Sequence, residues 1–245
     1  MSSVANNVIP IFNPRPRIER VALSGDEFCL VIDDAFMEPE RIVEFASRRR
    51  AEFRNVDFNA YPGTYLIAPV DLSAALSDFF TQHLRRFFDA RRVVSMHCRF
   101  SIVTLRPEQL RAYQWFCHRD NMDVPPGQTI QASVLYLFKD ELLGGTSFYE
   151  SAIFGAELAQ FNRDAGMLAA EAFARKYGLE PGYMCESNKY FSKIGSIPAR
   201  FNRLIFYDGS LLHSGDIFAP EKLSEDPARG RLTFNAFFTS RRNAS

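Results

Sequence analysis

Histidine is scarce in this sequence, four in 245 residues, so each can be weighed by its neighbours. His118 is followed two residues later by Asp120. In an extended segment, residues two apart project to the same face, so imidazole and carboxylate converge on one point. Imidazole suits iron, and one carboxylate offsets part of a 2+ charge. Two histidines and a carboxylate on one side of the ion leave positions open for further ligands. By itself His-x-Asp is a weak signal. His213, in Leu211-Leu212-His213-Ser214-Gly215, follows a strand-like run and offers the third ligand from a neighbouring strand. Eighteen residues later Arg231 and Thr233 open the last apolar run and again share a face. A planar guanidinium pairs bidentately with a carboxylate, a role lysine fills less well. His83 sits in a helical pattern and His97 in a strand pattern, neither with an evident partner. Both are read as structural.

The elements that must position these groups are legible in outline. Residues 1–27, with Pro10, Pro14 and Pro16, read as an N-terminal arm. Residues 28–32 read as a strand, and 38–50 as a helix with Pro39 in its first turn, where the missing N–H is not needed. Residues 54–63 read as a loop. Over 72–92, Leu76, Phe79, Phe80, Leu84 and Phe87 recur with a helical period and predict one apolar face. Short β-branched and aromatic runs at 93–105, 131–138, 146–149, 203–207 and 232–239 predict strands. Gly144-Gly145 is expected to turn the chain back as an antiparallel hairpin. Residues 154–179 are Ala-rich and predicted helical, ending near Gly178. Helices first, then a β-rich remainder, favour a barrel or sandwich with supporting helices over alternating βαβ units.

Composition excludes several classes. With 47% hydrophobic content the chain can bury one substantial core. Lys plus Arg and Asp plus Glu both number 29, and this formal neutrality argues against duplex nucleic acid or an anionic membrane as partner. No apolar stretch reaches the roughly 20 residues of a membrane span. The start of the chain has no apolar core followed by a cleavage site, so no signal peptide is read. Cys29, Cys98, Cys117 and Cys185 lie far apart, as buried reduced thiols of a cytoplasmic protein would. The sequence carries no signal for an oligomeric state.

In order and spacing these motifs resemble the prolyl-4-hydroxylase-like branch of the iron(II)/2-oxoglutarate-dependent oxygenases, over nearly the whole chain. Val31 to Phe36 with Pro39-Glu40 is similar to that family's opening strand and helix start. His118-Arg119-Asp120-Asn121 is similar to its first metal motif, His213 to its distal ligand, and Arg231 with Thr233 to its Arg-x-Ser/Thr cosubstrate anchor. The resemblance implies a double-stranded β-helix (jelly-roll) barrel, 1–245 as a single oxygenase domain, with 28–92 as support and 93–239 supplying barrel strands. It implies iron(II) on His118, Asp120 and His213, with 2-oxoglutarate anchored by Arg231 and Thr233. O2 would be the oxidant, and succinate and CO2 the by-products. The substrate would be a small molecule or a peptide side chain. Since Asp120 fills the place that halide takes in related halogenases, hydroxylation, or an outcome derived from it such as desaturation, is expected.

Three departures stand out. At the position where many relatives carry a cosubstrate-binding tyrosine this chain has Leu135, with Tyr136 one residue out of phase and expected to point away. Arg106-Pro107 stands where many have Tyr-Pro. About fifty residues, 150–200, form an insertion, either a helix outside the barrel or a cover over its mouth. Two other readings stay open. One is a non-catalytic β-barrel metal-binding or sensor module, and the other a cupin-like metalloenzyme that uses no 2-oxoglutarate.

Overall fold

The computed structural model describes residues 11–55, 61–120 and 124–243. Pro10, the centre of the expected loop at 54–63, and Asn121 lie outside the described residues. In chain order the elements are β1 (Ile18–Ala22), β2 (Phe28–Ile32), α1 (Pro39–Arg48), β3 (Arg54–Asn55), β4 (Gly63–Ile67), α2 (Val70–Phe79) and β5 (Ala90–Val103). There follow β6 (Gln128–Tyr136), β7 (Thr146–Ser151), α3 (Gly155–Met167), α4 (Ala170–Tyr177), β8 (Phe191–Ile197), β9 (Leu204–Asp208), β10 (Leu212–Gly215) and β11 (Arg231–Arg242).

The strands form two antiparallel sheets. The larger has the order β1-β2-β9-β6-β11-β5-β4-β3 and the smaller β10-β7-β8. Strand alternation divides their side chains between three apolar clusters. Phe100, Ile102, Leu135, Phe206, Phe234 and Phe238 leave the outer face of the large sheet and meet Ile42 and Ala46 of α1 and Leu72 and Leu76 of α2. Val103, Ala132, Tyr136, Phe148, Ile205 and Tyr207 fill the space between the sheets. Tyr149 and Phe191 on the outer face of the small sheet pack against Phe161 of α3 and Phe173 of α4. Two facing sheets with helices outside make a jelly roll, the architecture expected.

Several elements differ from their sequence reading. The arm contains β1, which pairs with β2 from Ile18↔Ile32 to Ala22↔Phe28. Its exposed Glu19 and Arg20 suit an edge strand and conceal it from an apolar-run criterion. The helix expected over 72–92 is regular only to Phe79. It continues as a π-helical turn at Phe80–Leu84 and a tight 3-10 turn at Arg85–Phe88, and stops at Asp89, whose φ is 51°. The change of pitch rotates the apolar face. Leu76, Phe79, Phe80 and Leu84 stay buried while Phe87 turns outward. The Ala-rich stretch is two helices broken at Leu168-Ala169, ending as expected at left-handed Gly178. The span 150–200 is not wholly an insertion, because it includes β8, a strand of the small sheet paired to β7.

The expected glycine hairpin does not form. β6 pairs with β9 and β11 in the large sheet, whereas β7 pairs with β8 and β10 in the small one. Gly144-Gly145 therefore carries the chain from one sheet to the other. Both glycines are required by close backbone approach. A Cβ on Gly144 would stand 2.0 Å from the Asp216 carbonyl oxygen, and one on Gly145 2.0 Å from that of Ile197. Gly144 also has a φ of 79°, which disfavours any side chain. Gly144→Ala is thus expected to cost about 3 kcal/mol or more, from clash and backbone strain together. Thermal unfolding would read this as a fall of roughly 6–12 °C for a chain of this size; an unchanged midpoint would show that the crossing can relax.

Candidate metal centre

The segment after Trp115-Phe116-Cys117 and strand β10 meet at one pair of residues. His118 N–H donates to the His213 carbonyl and His213 N–H to that of His118, both at 2.9 Å. Residues exchanging both backbone bonds lie directly opposite, with side chains on the same face. Their imidazole centroids are accordingly 4.5 Å apart. Asp120, two residues along, returns to that face, and its N–H is held by the Gly209 carbonyl at 3.0 Å. Asp120 Oδ1 lies 3.5 Å from His213 Nε2 and 4.0 Å from His118 Nε2. One ligand atom from each of the three lies within 4.8 Å of the other two. The three expected ligands are brought together.

The protonation states are set by the same contacts. His213 Nδ1 lies 2.9 Å from the Leu211 carbonyl, a partner that can only accept. The proton is therefore on Nδ1 when the ring is neutral, and the Nε2 lone pair faces Asp120. Burial opposes charge on His213, but the Asp120 charge and hydrogen bond raise its pKa. Burial likewise opposes ionisation of Asp120; the charge and hydrogen bond of His213, with His118 and Arg99, outweigh it and hold the carboxyl low. Desolvation and the adjacent His213 push His118 down to about 4, although 49% of its side chain remains reachable from the barrel mouth. Asp120 Oδ2 is buried with no hydrogen-bond partner among the described residues.

His118 owes its position to the helical segment. Phe116 meets Phe161 edge-on at 4.8 Å and stacks at 5.7 Å on Phe191, and Trp115 lies 5.9 Å edge-on to Phe173. Helices α3 and α4 therefore buttress the back of the small sheet and the run that ends in His118. Phe161, Phe173, Tyr190 and Phe191 of the span are spent in that core, whereas Phe154 is exposed and Tyr183 also packs between the sheets, its hydroxyl donating to the Leu105 carbonyl at 2.6 Å. Of the span's two readings, the helix outside the barrel describes what the four core aromatics do. His83 packs 5.0 Å from Phe79, and His97 is exposed on β5; neither belongs to the metal-type cluster.

Arg231 and Thr233 project inward from β11. Arg231 is 6% exposed, and its guanidinium is partly spent. Nε donates to the carbonyls of Leu143 (2.8 Å) and Gly144 (3.3 Å), and Nη2 to that of Gly145 (2.8 Å). The arginine thus clamps the crossing between sheets with Nε and one N–H of Nη2, because the carbonyls of the tight Gly144-Gly145 crossing need a donor. The N–H groups of Nη1 and the second one of Nη2 are left for a ligand.

Two tyrosines complete this end of the interior. Tyr136 does not point away. Leu135 faces the helices, whereas Tyr136 lies between the sheets with its hydroxyl 2.7 Å from Thr146 Oγ1, within reach of the Arg231 charge. Alternation is intact; it is the strand's inner face that carries Tyr136. Tyr61 was not singled out in the sequence. Burial pushes its phenol up to about 12, while Arg231, Thr233, Arg99 and Ser101 pull it back. Its only sequence signal is the Tyr61-Pro62-Gly63 turn into β4. Arg106, at the other departure, instead donates to the Pro220 carbonyl.

Among solved structures, the chain is similar to a non-heme alpha ketoglutarate dependent carbocyclase, SnoK, from nogalamycin biosynthesis. Identity is 12% over 88% of this chain and 80% of that one, with a TM-score of 0.51. HygX from Streptomyces hygroscopicus, crystallised with nickel and 2-oxoglutarate, matches at 12% identity over 87% and 82%, TM-score 0.46. A Pseudomonas putida prolyl-4-hydroxylase matches at 13% over 88% of each chain, TM-score 0.43. The likeness to SnoK is one of fold. By sequence, residues 14–238 match the model of DUF6445, described as a family of unknown function, and the chain belongs to that family. No protein of curated function matches it.

Proposed function

We propose that this protein is an iron(II)- and 2-oxoglutarate-dependent dioxygenase that hydroxylates a small molecule or a peptide or protein side chain. The observation that carries the reading is the meeting of His118, Asp120 and His213 on one face. Their donors lie within 4.8 Å of one another, with a buried, unpartnered carboxylate oxygen among them. Two imidazoles and one carboxylate are the donor set of non-haem iron(II) sites with open positions. The tautomer fixed on His213 by Leu211 leaves the correct nitrogen free, and the residues fit the metal. The likeness of fold to a carbocyclase described as alpha ketoglutarate dependent supports the same reading.

In this reading His118, Asp120 and His213 hold iron(II), and Arg231 Nη1 with Thr233 takes the far carboxylate of 2-oxoglutarate. When bound, iron with 2-oxoglutarate and O2 supplies the oxidising power, at the cost of one cosubstrate converted to succinate and CO2. The protein binds, orients and shields. The Tyr61 and Tyr136 hydroxyls border the carboxylate end, and Phe138, stacked 5.6 Å from the Arg231 guanidinium, keeps water from it. The inward Tyr136 supports the oxygenase reading over a non-catalytic sensor module. A cytoplasmic location belongs to the proposal and is supported by four free thiols. Among the described residues, no helix is long and apolar enough to cross a membrane.

The test is anaerobic loading with iron(II) and 2-oxoglutarate followed by admission of oxygen. Slow succinate release in step with 2-oxoglutarate loss is expected even without substrate. Protein that with iron(II) and ascorbate neither binds 2-oxoglutarate nor consumes it would refute the assignment.

A further inference from the structure

Arg99 lies on the inner face of β5, opposite Asn235 of β11. Its Cζ stands 4.0 Å from the Tyr65 ring centroid and 4.9 Å from that of Phe237. Among the described residues it pairs with no carboxylate, and its Nε is buried without a hydrogen-bond partner. The nearby Asp120 pairs with the two histidines instead. Asn235 is itself 8% exposed; it donates to Ser101 Oγ at 3.1 Å, and its other amide atom, Oδ1, is buried and unpartnered. Arg99 is half-buried, its guanidinium laid against two rings with Nε sealed from water and the rest of the fork open to the interior side. Its geometry matches one class of ligand, a planar oxyanion met edge-on.

We propose that Arg99 receives the carboxylate of the prime substrate, a small organic acid, held beside the metal between the Tyr65 and Phe237 rings. This rests on the oxygenase reading above for the word substrate, not for the anion site itself. The cosubstrate is accounted for elsewhere on the same wall. Arg231 and Asn235 are four residues apart on β11, about 13 Å along an extended strand. Arg99 thus occupies a separate rung, on the metal side, where its charge acts on Asp120. With one carboxylate of 2-oxoglutarate at Arg231 and its keto-acid end at the metal, no carboxylate of the cosubstrate remains for Arg99. The aromatic pair favours an acid with a flat or apolar body, and the polar Asn235 gives that body one further contact.

The experiment compares benzoate with its neutral near-isostere benzamide, by calorimetry on protein loaded with iron(II) and saturating 2-oxoglutarate under exclusion of oxygen. Wild-type protein is expected to bind benzoate at least tenfold more tightly, the scale of hydrogen bonds to a charged group. In Arg99→Met the ratio should fall to about one. Its melting temperature should change little, because methionine keeps an apolar stem between the two rings and no carboxylate loses its partner. If that variant does not fold, Arg99→Gln is read in the same way. No preference in the wild type, or a preference that survives in the variant, would overturn the proposal. Competition between benzoate and 2-oxoglutarate would also overturn it, assigning Arg99 to the cosubstrate. The same titrations on metal-free protein without 2-oxoglutarate separate the two claims. An Arg99-dependent preference there stands even where iron and 2-oxoglutarate fail to bind.

Discussion

Asp120→Ala is expected to abolish iron(II) binding and to lower the stability of the metal-free protein by about 1–3 kcal/mol. Asp120 supplies the only carboxylate of the three-ligand cluster, and two imidazoles alone leave the 2+ charge uncompensated. Loss of an outer-shell partner typically costs 10–100-fold in metal affinity, so loss of a ligand should exceed about 100-fold. In the metal-free chain the desolvation of Asp120 is outweighed by the attraction of His213, His118 and Arg99, so removing the carboxylate leaves His213 without its partner. Thermal unfolding with and without metal reads both. At iron(II) a hundredfold above its dissociation constant the wild type should gain about 2.7 kcal/mol, and the variant nothing. His213→Ala should lose the metal in the same way. Undiminished iron affinity in both variants would place the ligands elsewhere.

Arg231→Met is expected to fail twice over, in stability and in 2-oxoglutarate binding. Its side chain satisfies the carbonyls of Leu143, Gly144 and Gly145 where the chain crosses between sheets. Leaving those acceptors without a charged donor should cost about 3–5 kcal/mol, or roughly 10 °C in melting temperature. Independently, losing Nη1 removes the cation for the cosubstrate, worth about 100-fold in affinity on the scale of a charged hydrogen bond. Thr233→Val separates the two effects. Its hydroxyl makes only a long 3.4 Å bond to the Ser101 carbonyl, so folding should be nearly unaffected. The affinity for 2-oxoglutarate should nonetheless fall about tenfold. A Thr233→Val variant with wild-type affinity would remove Thr233 from the anchor.

The stability half of the Arg231 prediction was not legible in the sequence. The pairing of Arg231 with Thr233 on one strand face needs only a two-residue period. That Arg231 must also hold three carbonyls depends on the crossing at Gly144-Gly145, which local pattern presents as a hairpin. A hairpin and a crossing use the same glycines. What distinguishes them is the backbone met by the missing Cβ, Asp216 in one case and Ile197 in the other, 72 and 52 residues away in sequence. Tyr136 shows the same limit. Alternation says that Leu135 and Tyr136 face opposite ways, but which face is inner depends on where the helices pack. Arg99 gave no signal at all, since an arginine in a polar-looking stretch reads as surface until Tyr65 and Phe237 close around it.

The metal ligands are the opposite case. A two-residue spacing in an extended segment is a local geometric fact, so His118 and Asp120 share a face in any fold that keeps the segment extended. The order of His118, Asp120, His213 and Arg231 along the chain likewise limited the architecture to few choices. The sequence by itself therefore determined, from short-range periodicity, that His118 with Asp120 and Arg231 with Thr233 share a face, and that the chain is a barrel or sandwich with supporting helices. The jelly-roll class and the place of His213 came with the family resemblance. Only the tertiary structure decided how the ligands meet, through two hydrogen bonds between His118 and His213. It also decided that α3 and α4 steady His118 from behind, and that Arg231 donates to the backbone of the crossing while Arg99 lies against two rings. Those outcomes are contacts between residues tens of positions apart, and pattern along a chain carries no information on which distant groups will share a cavity.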